Sequence, residues 1–178
     1  MASPEVPIDV DPDTGIWRTD GMPMIYLPRH FLVNNHQAME AALGREAHRG
    51  ILRAATEKSA IAWCRAESKT HGLAAEATVR HYFRRLSQRG WGRFSMLELG
   101  ADHGLVAIEN SVFVLEATER AAQPVCYMFE GFIQGALRFL VNSDVIGYDN
   151  HNIVCEEIQC AAMRQHHRCL IRFIETGH

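Results

Sequence analysis

The groups most able to do chemistry are concentrated near the C-terminus, in the stretch "VCEEIQCAAMRQHHRCLIRF", residues 154–173. This stretch contains three cysteines, two glutamates and two histidines. Structural zinc is bound by four protein groups, usually thiolates and imidazoles. The candidate ligands are Cys155, Glu157, Cys160, His166, His167 and Cys169. The composition therefore raises three possibilities: a metal site, a thiol redox site, or a cysteine-rich β-hairpin without metal.

Strand geometry limits which of these groups can meet. In a continuous strand Cys155 and Glu157 share a face and Cys160 points the other way, because side chains alternate with a period of two. Glu157 and Cys160 converge only if the chain turns or bulges around Gln159. Cys169 begins the returning strand, so the hairpin can bring it opposite Cys160. The spacing is thus compatible with a metal site at the mouth of the hairpin.

Two other readings of the cysteines stay open at this point. Free cysteine is among the most buried residue types, so these residues also fit as small hydrophobic groups within a sheet. A redox role has less support because the sequence has no Cys-x-x-Cys pair. Cys126 lies far from the hairpin in sequence, in the predicted first turn of a helix, where the helix dipole favours a thiolate.

Composition and charge exclude several classes of protein. The chain has 178 residues, 47% hydrophobic and 22% charged, which is typical of a globular protein. The formal charge of −3 gives no basis for nucleic-acid binding, and no apolar run approaches the ~20 residues of a membrane span. The acidic, proline-rich start "MASPEVPIDVDPDTG" is not a secretory signal. We therefore expect a cytoplasmic protein whose five cysteines are thiols or metal ligands.

Helices are predicted first along the chain and strands later, which favours an α+β fold. An irregular but partly ordered N-terminal arm occupies residues 1–28, and a single domain occupies residues 29–178. The predicted helices run from Arg29 or His30 to Leu43, from Arg45 to His71, from Ala74 to Gln88, and from Pro124 to Leu140. The predicted strands lie in "RFSMLELG", "GLVAIENSVFVLEAT", "IVCEEIQCA" and "RCLIRFIE", and "SDVIGYDNHN" is a polar loop or a small strand pair. We expect the N-terminal helices to pack on a mostly antiparallel sheet, with the last helix beside a β-hairpin that carries the metal site.

The segments "PVCYMFEGFIQGAL" and "EEIQCAAMRQHHRCLIRF" resemble the 4-vinyl reductase domain, also called the hydrocarbon-binding domain. The family pattern is a cysteine, a Gly-x-x-x-Gly helix, a Glu-x-x-Cys and a final cysteine before apolar and aromatic residues. The matching positions are Cys126, Gly131, Gly135, Glu157, Cys160, Cys169 and Phe173. The chain departs from the pattern in having no glycine between its last two cysteines, which puts the hairpin turn in doubt more than the ligands.

In the phenol-sensing regulators of that family, three cysteines and the glutamate bind one zinc ion. The resemblance therefore implies Cys126, Glu157, Cys160 and Cys169 as zinc ligands, and it leaves the remaining cysteine and the two histidines of the hairpin without a role. Four protein ligands leave no open position, which is characteristic of structural zinc.

The upstream run from "GIWRTDGMPMIYLPRHF" to "HYFRRLSQRGWGRF" is similar to stand-alone bacterial members of the family. Those members often accompany genes for demethylation and for methylamine or betaine catabolism. This resemblance implies a homodimer. A ligand pocket is expected at Trp91, Phe94, Phe113 and Phe129, although each aromatic residue taken singly is more often plain core. The histidines upstream of the hairpin show no paired spacing and are interpreted as surface or core residues.

Three functions are compatible with these observations. The favoured one is a non-enzymatic, zinc-containing protein that binds a hydrophobic molecule or a catabolite, as a sensor or as an accessory to a catabolic enzyme. The first alternative is an enzyme or enzyme subunit of one-carbon or demethylation metabolism. The second is a structural assembly partner. No nucleic-acid or membrane partner is expected.

Overall fold

Three helices precede a four-stranded antiparallel sheet in this computed structural model, which describes residues 6, 8–100, 103–115, 120–141, 153–163 and 166–175. The strands are β1 (Asp9–Val10), β2 (Trp17–Thr19), β3 (Met22–Met24), β4 (Arg93–Leu99), β5 (His103–Glu109), β6 (Ile153–Gln159) and β7 (Cys169–Glu175). The helices are α1 (Arg29–Leu43), α2 (Arg45–His71), α3 (Ala75–Gln88), α4 (Val112–Leu115) and α5 (Met128–Val141), with a 3₁₀ turn at Ala161–Met163. The predicted α+β class is confirmed.

The large sheet has the strand order β4-β5-β7-β6, and every neighbouring pair is antiparallel. The last two strands form the expected hairpin, and α3 and α5 pack against the sheet. Buried hydrophobic residues from the helices and from this sheet form one core cluster. The predicted loop "SDVIGYDNHN" lies outside the described residues. Among the described residues, no helix has the length and apolar character needed to cross a membrane.

The N-terminal arm is more regular than predicted. Its three short strands form a separate antiparallel sheet in the order β1-β2-β3. Asp20 and Gly21 connect β2 to β3, and both have positive φ angles, 53° and 76°. A two-residue hairpin loop needs this conformation, because only then does its twist match that of the strands. Pro12 follows β1 by two residues and Pro23 lies within β3, and neither prevents the strands from pairing.

Part of the predicted strand in "GLVAIENSVFVLEAT" is a helical turn instead. Asn110, with φ 52°, ends β5. The Ser111 hydroxyl then accepts a hydrogen bond from the backbone N–H of Phe113 at 3.3 Å. The Ser111 carbonyl accepts the N–H groups of Val114 and Leu115, each at 3.0 Å. Local capping by serine therefore overrides the β-branched composition of this segment.

Glycines determine how the helices meet. Gly44, with φ 79°, is the single residue between α1 and α2, and Gly72, with φ 61°, ends α2. Along α5, a Cβ atom on Gly131 would collide with the Thr56 hydroxyl and a backbone carbonyl of α2. Gly135, one turn later, makes a similar close approach to α2. The Gly-x-x-x-Gly spacing thus lets the backbones of α2 and α5 touch.

Candidate metal centre and neighbouring polar clusters

Four buried side chains with metal-binding atoms meet between the start of α5 and the hairpin. These are Cys126, Glu157, Cys160 and Cys169, and their ligand atoms all lie within 4.8 Å of one another. They come from a loop, a strand end, the residue after that strand, and the start of the returning strand. The structure therefore brings together the four residues that the resemblance implied as zinc ligands.

The end of β6 supplies the distortion that strand geometry required. The pairing of β6 with β7 shifts register between Glu157 and Gln159. The strand ends there, and a 3₁₀ turn follows Cys160. Because alternation is interrupted, Glu157 and Cys160 face the same point although they are three residues apart. The expectation of a bulge or turn around Gln159 is confirmed.

Cys126 lies two residues before α5, so the prediction that Pro124 opens this helix is wrong by four residues. Two backbone N–H groups of the segment before α5 bond the cluster. The N–H of Val125 donates to the sulfur of Cys160 at 3.4 Å, and the N–H of Cys126 donates to Glu157 Oε2 at 2.7 Å. Both groups bind side chains of the hairpin. The segment before α5 is therefore shaped by the cluster.

The sulfur positions suit a tetrahedral metal ion. The Sγ atoms of Cys126 and Cys169 are 3.4 Å apart, and those of Cys169 and Cys160 are 4.0 Å apart. Zn–S bonds of about 2.3 Å place two sulfurs roughly 3.8 Å apart at a tetrahedral angle. A disulfide would need a separation near 2 Å, and all five cysteines are free thiols.

Each sulfur also has a neighbouring hydrogen-bonding group. The Ser111 hydroxyl lies 3.0 Å from Cys126 Sγ, and the N–H of Ala161 donates to Cys169 Sγ at 3.3 Å. Cys160 receives the Val125 N–H described above. Hydrogen bonds to a charged form stabilise that form. These contacts stabilise the thiolate form, which is the form that binds zinc, and they act against the effect of burial.

Burial and mutual charge shift the pKa values of the cluster in opposite directions. Hydrogen bonds from the Cys126 and Cys169 thiols hold the pKa of Cys160 far below its ordinary value. Burial, and then the charge of Cys160, raise the pKa of Glu157 to about 9. Burial raises the pKa of Cys126 well above its ordinary value. A bound cation favours the deprotonated form of each of these ligands, so metal binding would release protons from the cluster.

Glu157 has one carboxyl oxygen left over. Its Oε2 atom accepts the Cys126 N–H, but Oε1 is buried and has no hydrogen-bond partner among the described residues. An unpartnered buried oxygen costs free energy unless a ligand satisfies it. Three thiolates and one carboxylate form a donor set that zinc accepts. The residues present therefore fit a zinc ion.

Glu130, which the sequence analysis did not single out, supports the cluster from behind. Its fully buried carboxylate accepts the backbone N–H of Glu157 at 2.9 Å. Arg49 of α2 holds the same carboxylate with two hydrogen bonds, at 3.0 and 2.8 Å. Glu130 thereby joins α2, α5 and β6 directly behind the proposed ligand. Cys155 is buried elsewhere on β6, and His166 and His167 are exposed, so none of them joins the cluster.

A second cluster lies where α1 meets α2. His36, Glu40 and His48 offer ligand atoms within 4.8 Å of one another. The Tyr127 hydroxyl donates to Glu40 Oε2 at 2.5 Å and lies 3.3 Å from His48 Nδ1. Arg45 donates to Glu40 Oε1 at 3.3 Å. The sequence signal was weak, because only the His36-to-Glu40 spacing of four residues is visible without the fold.

A third cluster, around Glu67, is a salt-bridge network. His81 and His71 lie 2.8 and 3.2 Å from the Glu67 carboxylate. Arg84 donates to His81 Nδ1 at 2.6 Å, so His81 carries its proton on Nε2 and donates it to Glu67. Because Nε2 carries the proton, it has no lone pair free to bind a metal ion. Arg85 bonds the neighbouring Asp20 at 2.8 Å, so the network ties the hairpin of the arm to α2 and α3.

The predicted pocket residues do not line one cavity. Trp91 borders a cavity of about 570 Å³ between the small sheet, α1 and the end of α3. Phe113 borders a second cavity of about 560 Å³ beside α1. Phe94 and Phe129 border neither of these two, and their ring centroids lie 5.2 Å apart in the core. The pocket prediction thus divides into two cavity residues and two core residues.

Residues 2–97 match the family described as "Domain of unknown function (DUF5943)". This match covers more than half of the chain. The chain belongs to the DUF5943 family. The matched region takes in the arm, α1 to α3 and most of β4, whereas the sulfur-rich cluster lies beyond it. No protein among the curated sequences matches the chain.

Solved structures share the fold at low sequence identity. The "phenol-responsive sensory domain of the transcription activator PoxR with Phenol" is similar with a TM-score of 0.75 and 18% identity, over 94% of this chain and 84% of that one. A "trafficking protein particle complex subunit 3 from Naegleria fowleri covalently bound to palmitic acid" has a TM-score of 0.55 and 11% identity, over 84% and 96%. A vinyl-4-reductase family protein from Methanocaldococcus jannaschii has a TM-score of 0.49 and 10% identity, over 86% and 85%. The first two of these likenesses show the fold of this DUF5943 member.

Proposed function

We propose that this chain is a zinc-containing protein that binds a hydrophobic small molecule or catabolite. The observation that carries the metal assignment is the convergence of Cys126, Glu157, Cys160 and Cys169, with one carboxyl oxygen still unpartnered. The cluster provides four ligands and is buried, so the ion has a structural role, pinning the hairpin to the start of α5.

The ligand proposal is supported by the cavity beside Trp91. Its volume of about 570 Å³ lies within the usual range for small-molecule pockets. Most of its lining is apolar, with contributions from the small sheet, α1 and the end of α3. The similar PoxR domain and the similar Naegleria subunit are both described with a bound organic molecule, phenol and palmitic acid. A chain with this fold and this cavity is suited to a hydrophobic ligand.

In the cell we propose a sensor, or an accessory to a catabolic enzyme, close to the stand-alone bacterial members of the 4-vinyl reductase family. The basis is the sequence resemblance of the upstream run from "GIWRTDGMPMIYLPRHF" to "HYFRRLSQRGWGRF". That resemblance also suggests a homodimer. Sedimentation of the purified protein measures the oligomeric state directly.

Native mass spectrometry of protein purified without a histidine tag tests the zinc and the ligand together. The expected result is one zinc ion per chain and a retained or added small molecule, with phenol and palmitate as the probes. A zinc content near zero would overturn the metal assignment.

A cavity-filling variant tests where the small molecule binds. Leu32→Trp places an indole in the cavity and should abolish the binding of both probes. The matched control is Ile51→Trp, which makes a comparable change at an exposed position of α2. Equal binding by both variants would place the ligand elsewhere and remove this cavity from the proposal.

A further inference from the structure

The junction of α1 and α2 carries two histidines and a glutamate that lie outside the sulfur-rich cluster and could bind a metal ion. His36 and Glu40 lie one helical turn apart on α1, and His48 lies in the first turns of α2. Their ligand atoms lie within 4.8 Å of one another. His36 Nε2 is 3.9 Å from Glu40 Oε2, too far for a hydrogen bond. Two ligands of one transition-metal ion lie roughly 3 Å apart when each bond is about 2.1 Å, so only a small side-chain movement is needed.

The Nε2 atom of the His36 imidazole, which faces the protein interior, has no hydrogen-bond partner in the part of the chain that the structure describes. The residue is 8% exposed, and Nε2 itself is buried. The ring packs against Phe113 and Tyr127, with centroid distances of 4.7 and 4.9 Å. This packing keeps the ring beside Glu40 and His48. An unpartnered buried nitrogen in that position indicates a ligand that completes it.

The groups around Glu40 hold the carboxylate in place and leave one side of it available. Arg45 bonds Oε1, and the Tyr127 hydroxyl bonds Oε2, the oxygen that also faces His36. A carboxylate oxygen has two lone pairs, so Oε2 can accept the tyrosine hydroxyl and still bind an ion. Tyr127 also lies 3.3 Å from His48, so it touches two of the three groups. Outer-shell contacts of this kind orient the ligands of metal sites.

An open space adjoins two of the three residues. The cavity of about 560 Å³ beside α1 is bordered by His36 and Glu40, together with Phe113. An ion held by two imidazoles and one carboxylate keeps open coordination positions, and here these positions would face the cavity. This access distinguishes the junction from the sulfur-rich cluster, where four protein ligands complete the coordination of a zinc ion.

We propose that His36, Glu40 and His48 form a second metal site, which binds a divalent first-row transition ion with open positions toward the cavity. Two histidines and one carboxylate are a donor set that such ions accept. The network around Glu67 shows why a similar composition is not sufficient. There Nε2 of His81 donates its proton to the Glu67 carboxylate. In contrast, Nε2 of His36 has no hydrogen-bond partner among the described residues.

Titration with Co²⁺ of the tag-free protein, after its bound zinc has been removed with a chelator, tests this site. Cobalt bound by thiolates gives intense charge-transfer absorption, and cobalt bound only by nitrogen and oxygen gives weak d–d bands. We expect the wild-type protein to show a binding phase without thiolate absorption. The two phases are spectrally separate, so failure of the zinc proposal would be seen in the thiolate bands and would leave this test intact.

His36→Ala and the nearly isosteric Glu40→Gln should each remove the non-thiolate phase, lowering its Co²⁺ affinity by more than about 100-fold, beyond the range of an outer-shell change. Circular dichroism establishes whether each variant is folded, and Glu40→Gln keeps the shape of the side chain. His30→Ala is the matched control, because His30 is exposed on the same helix and lies outside the three-residue set. Absence of the phase in the wild-type protein, or its persistence in both folded variants, would overturn the proposal.

Discussion

The sulfur-rich cluster is Cys126, Glu157, Cys160 and Cys169, and the histidine cluster is His36, Glu40 and His48. The two clusters are contacted by consecutive residues of the chain, yet they differ in their ligand atoms and in whether a cavity adjoins them. Cys126 belongs to the first, and Tyr127, the next residue, contacts the second. The first presents three thiols and a carboxyl group, all buried, from the hairpin and the start of α5. The second presents two imidazoles and a carboxylate, from two helices, beside a cavity. Complete burial suits an ion that stays bound, whereas an adjoining cavity suits exchange with a ligand.

The same difference predicts that substitutions in one cluster affect mainly the stability of the fold and substitutions in the other affect mainly metal binding. Residues of the sulfur-rich cluster connect the hairpin to the helices, so their loss should affect folding. Residues of the histidine cluster connect α1 to the start of α2, at the edge of the core. Changes there should affect metal binding more than folding. Four substitutions test that division.

Cys160→Ser should have the largest effect. We expect loss of zinc and a decrease of about 5 kcal/mol or more in the free energy of unfolding, because structural zinc contributes roughly 10 kcal/mol in small domains. Zinc content and thermal unfolding measure both effects. Cys155→Ala is the control, since Cys155 is equally buried on β6 but lies outside the cluster. A Cys160→Ser protein with full zinc content and unchanged stability would contradict the division.

Gly131→Ala should destabilise the support that both clusters share. The added methyl group would meet the Thr56 hydroxyl and the Arg53 carbonyl, forcing α5 away from α2. We expect a loss of about 3 kcal/mol, measured by urea unfolding. Gly50→Ala is the matched control, because no atom lies within 4 Å of the Cβ it would add, and alanine favours the helix by about 1 kcal/mol. Equal stability of the two variants would refute close packing of α2 and α5.

Tyr127→Phe should separate the two clusters. It removes the hydroxyl that contacts Glu40 and His48 and leaves Cys126 unchanged. We expect the non-thiolate Co²⁺ affinity to fall by about 10-fold, as for other outer-shell contacts, and stability to fall by about 1 kcal/mol. The thiolate absorption should be unaltered. Tyr26→Phe, at a position 82% exposed, is the control. Loss of the thiolate bands in Tyr127→Phe would show that the clusters are not independent.

His81→Gln should produce the smallest change, in the pH dependence of stability. Burial, and then Arg85 and Arg84, lower the pKa of His81 to about 4 in the folded protein. The unfolded chain takes up this proton near pH 6.5, so the stabilising contribution is present above that pH and is lost as the pH falls toward 4. The variant should show a shallower loss over this window in urea unfolding.

Other groups that face His81 act on the same titration. His71 and Asp20 lie nearby, and the pKa of Glu67 is raised by burial and by Asp20. A raised carboxyl pKa opposes the histidine, because its contribution is lost as the pH rises. The comparison is therefore the difference in slope between wild type and His81→Gln. An identical slope in both proteins would mean that the pKa of His81 is the same in the folded and the unfolded chain. Because His81 belongs to neither proposed metal site, both metal-binding phases should be unchanged.

The helix ends and the four-residue sulfur cluster could be anticipated from the sequence for different reasons. Gly44 and Gly72 are recognisable helix stops, and the structure ends α1 and α2 beside them. The grouping of Cys126 with the hairpin came from a family resemblance, because spacing alone does not relate residues so far apart. The bonds from the Val125 and Cys126 N–H groups to hairpin side chains were not visible either, since they depend on the tertiary fold.

The histidine cluster could not be predicted in the same way. Only the interval from His36 to Glu40 has a helical spacing. His48 joins them because of the angle between two helices, which a sequence pattern does not encode. The sheet of the arm was missed because prolines suggested irregular structure, although Asp20 and Gly21 are typical of a tight hairpin.

Gly44 gives the histidine cluster a mechanical consequence. Glu40 lies four residues before this glycine and His48 four residues after it, so an ion bound by both would fasten the corner between α1 and α2 from inside. Gly44 has no atoms near its missing side chain, and its φ of 79° is readily reached by glycine. Backbone amides of α1 should therefore exchange with deuterium more slowly when cobalt is present. The exchange rate of α1 would then report whether the metal site is occupied.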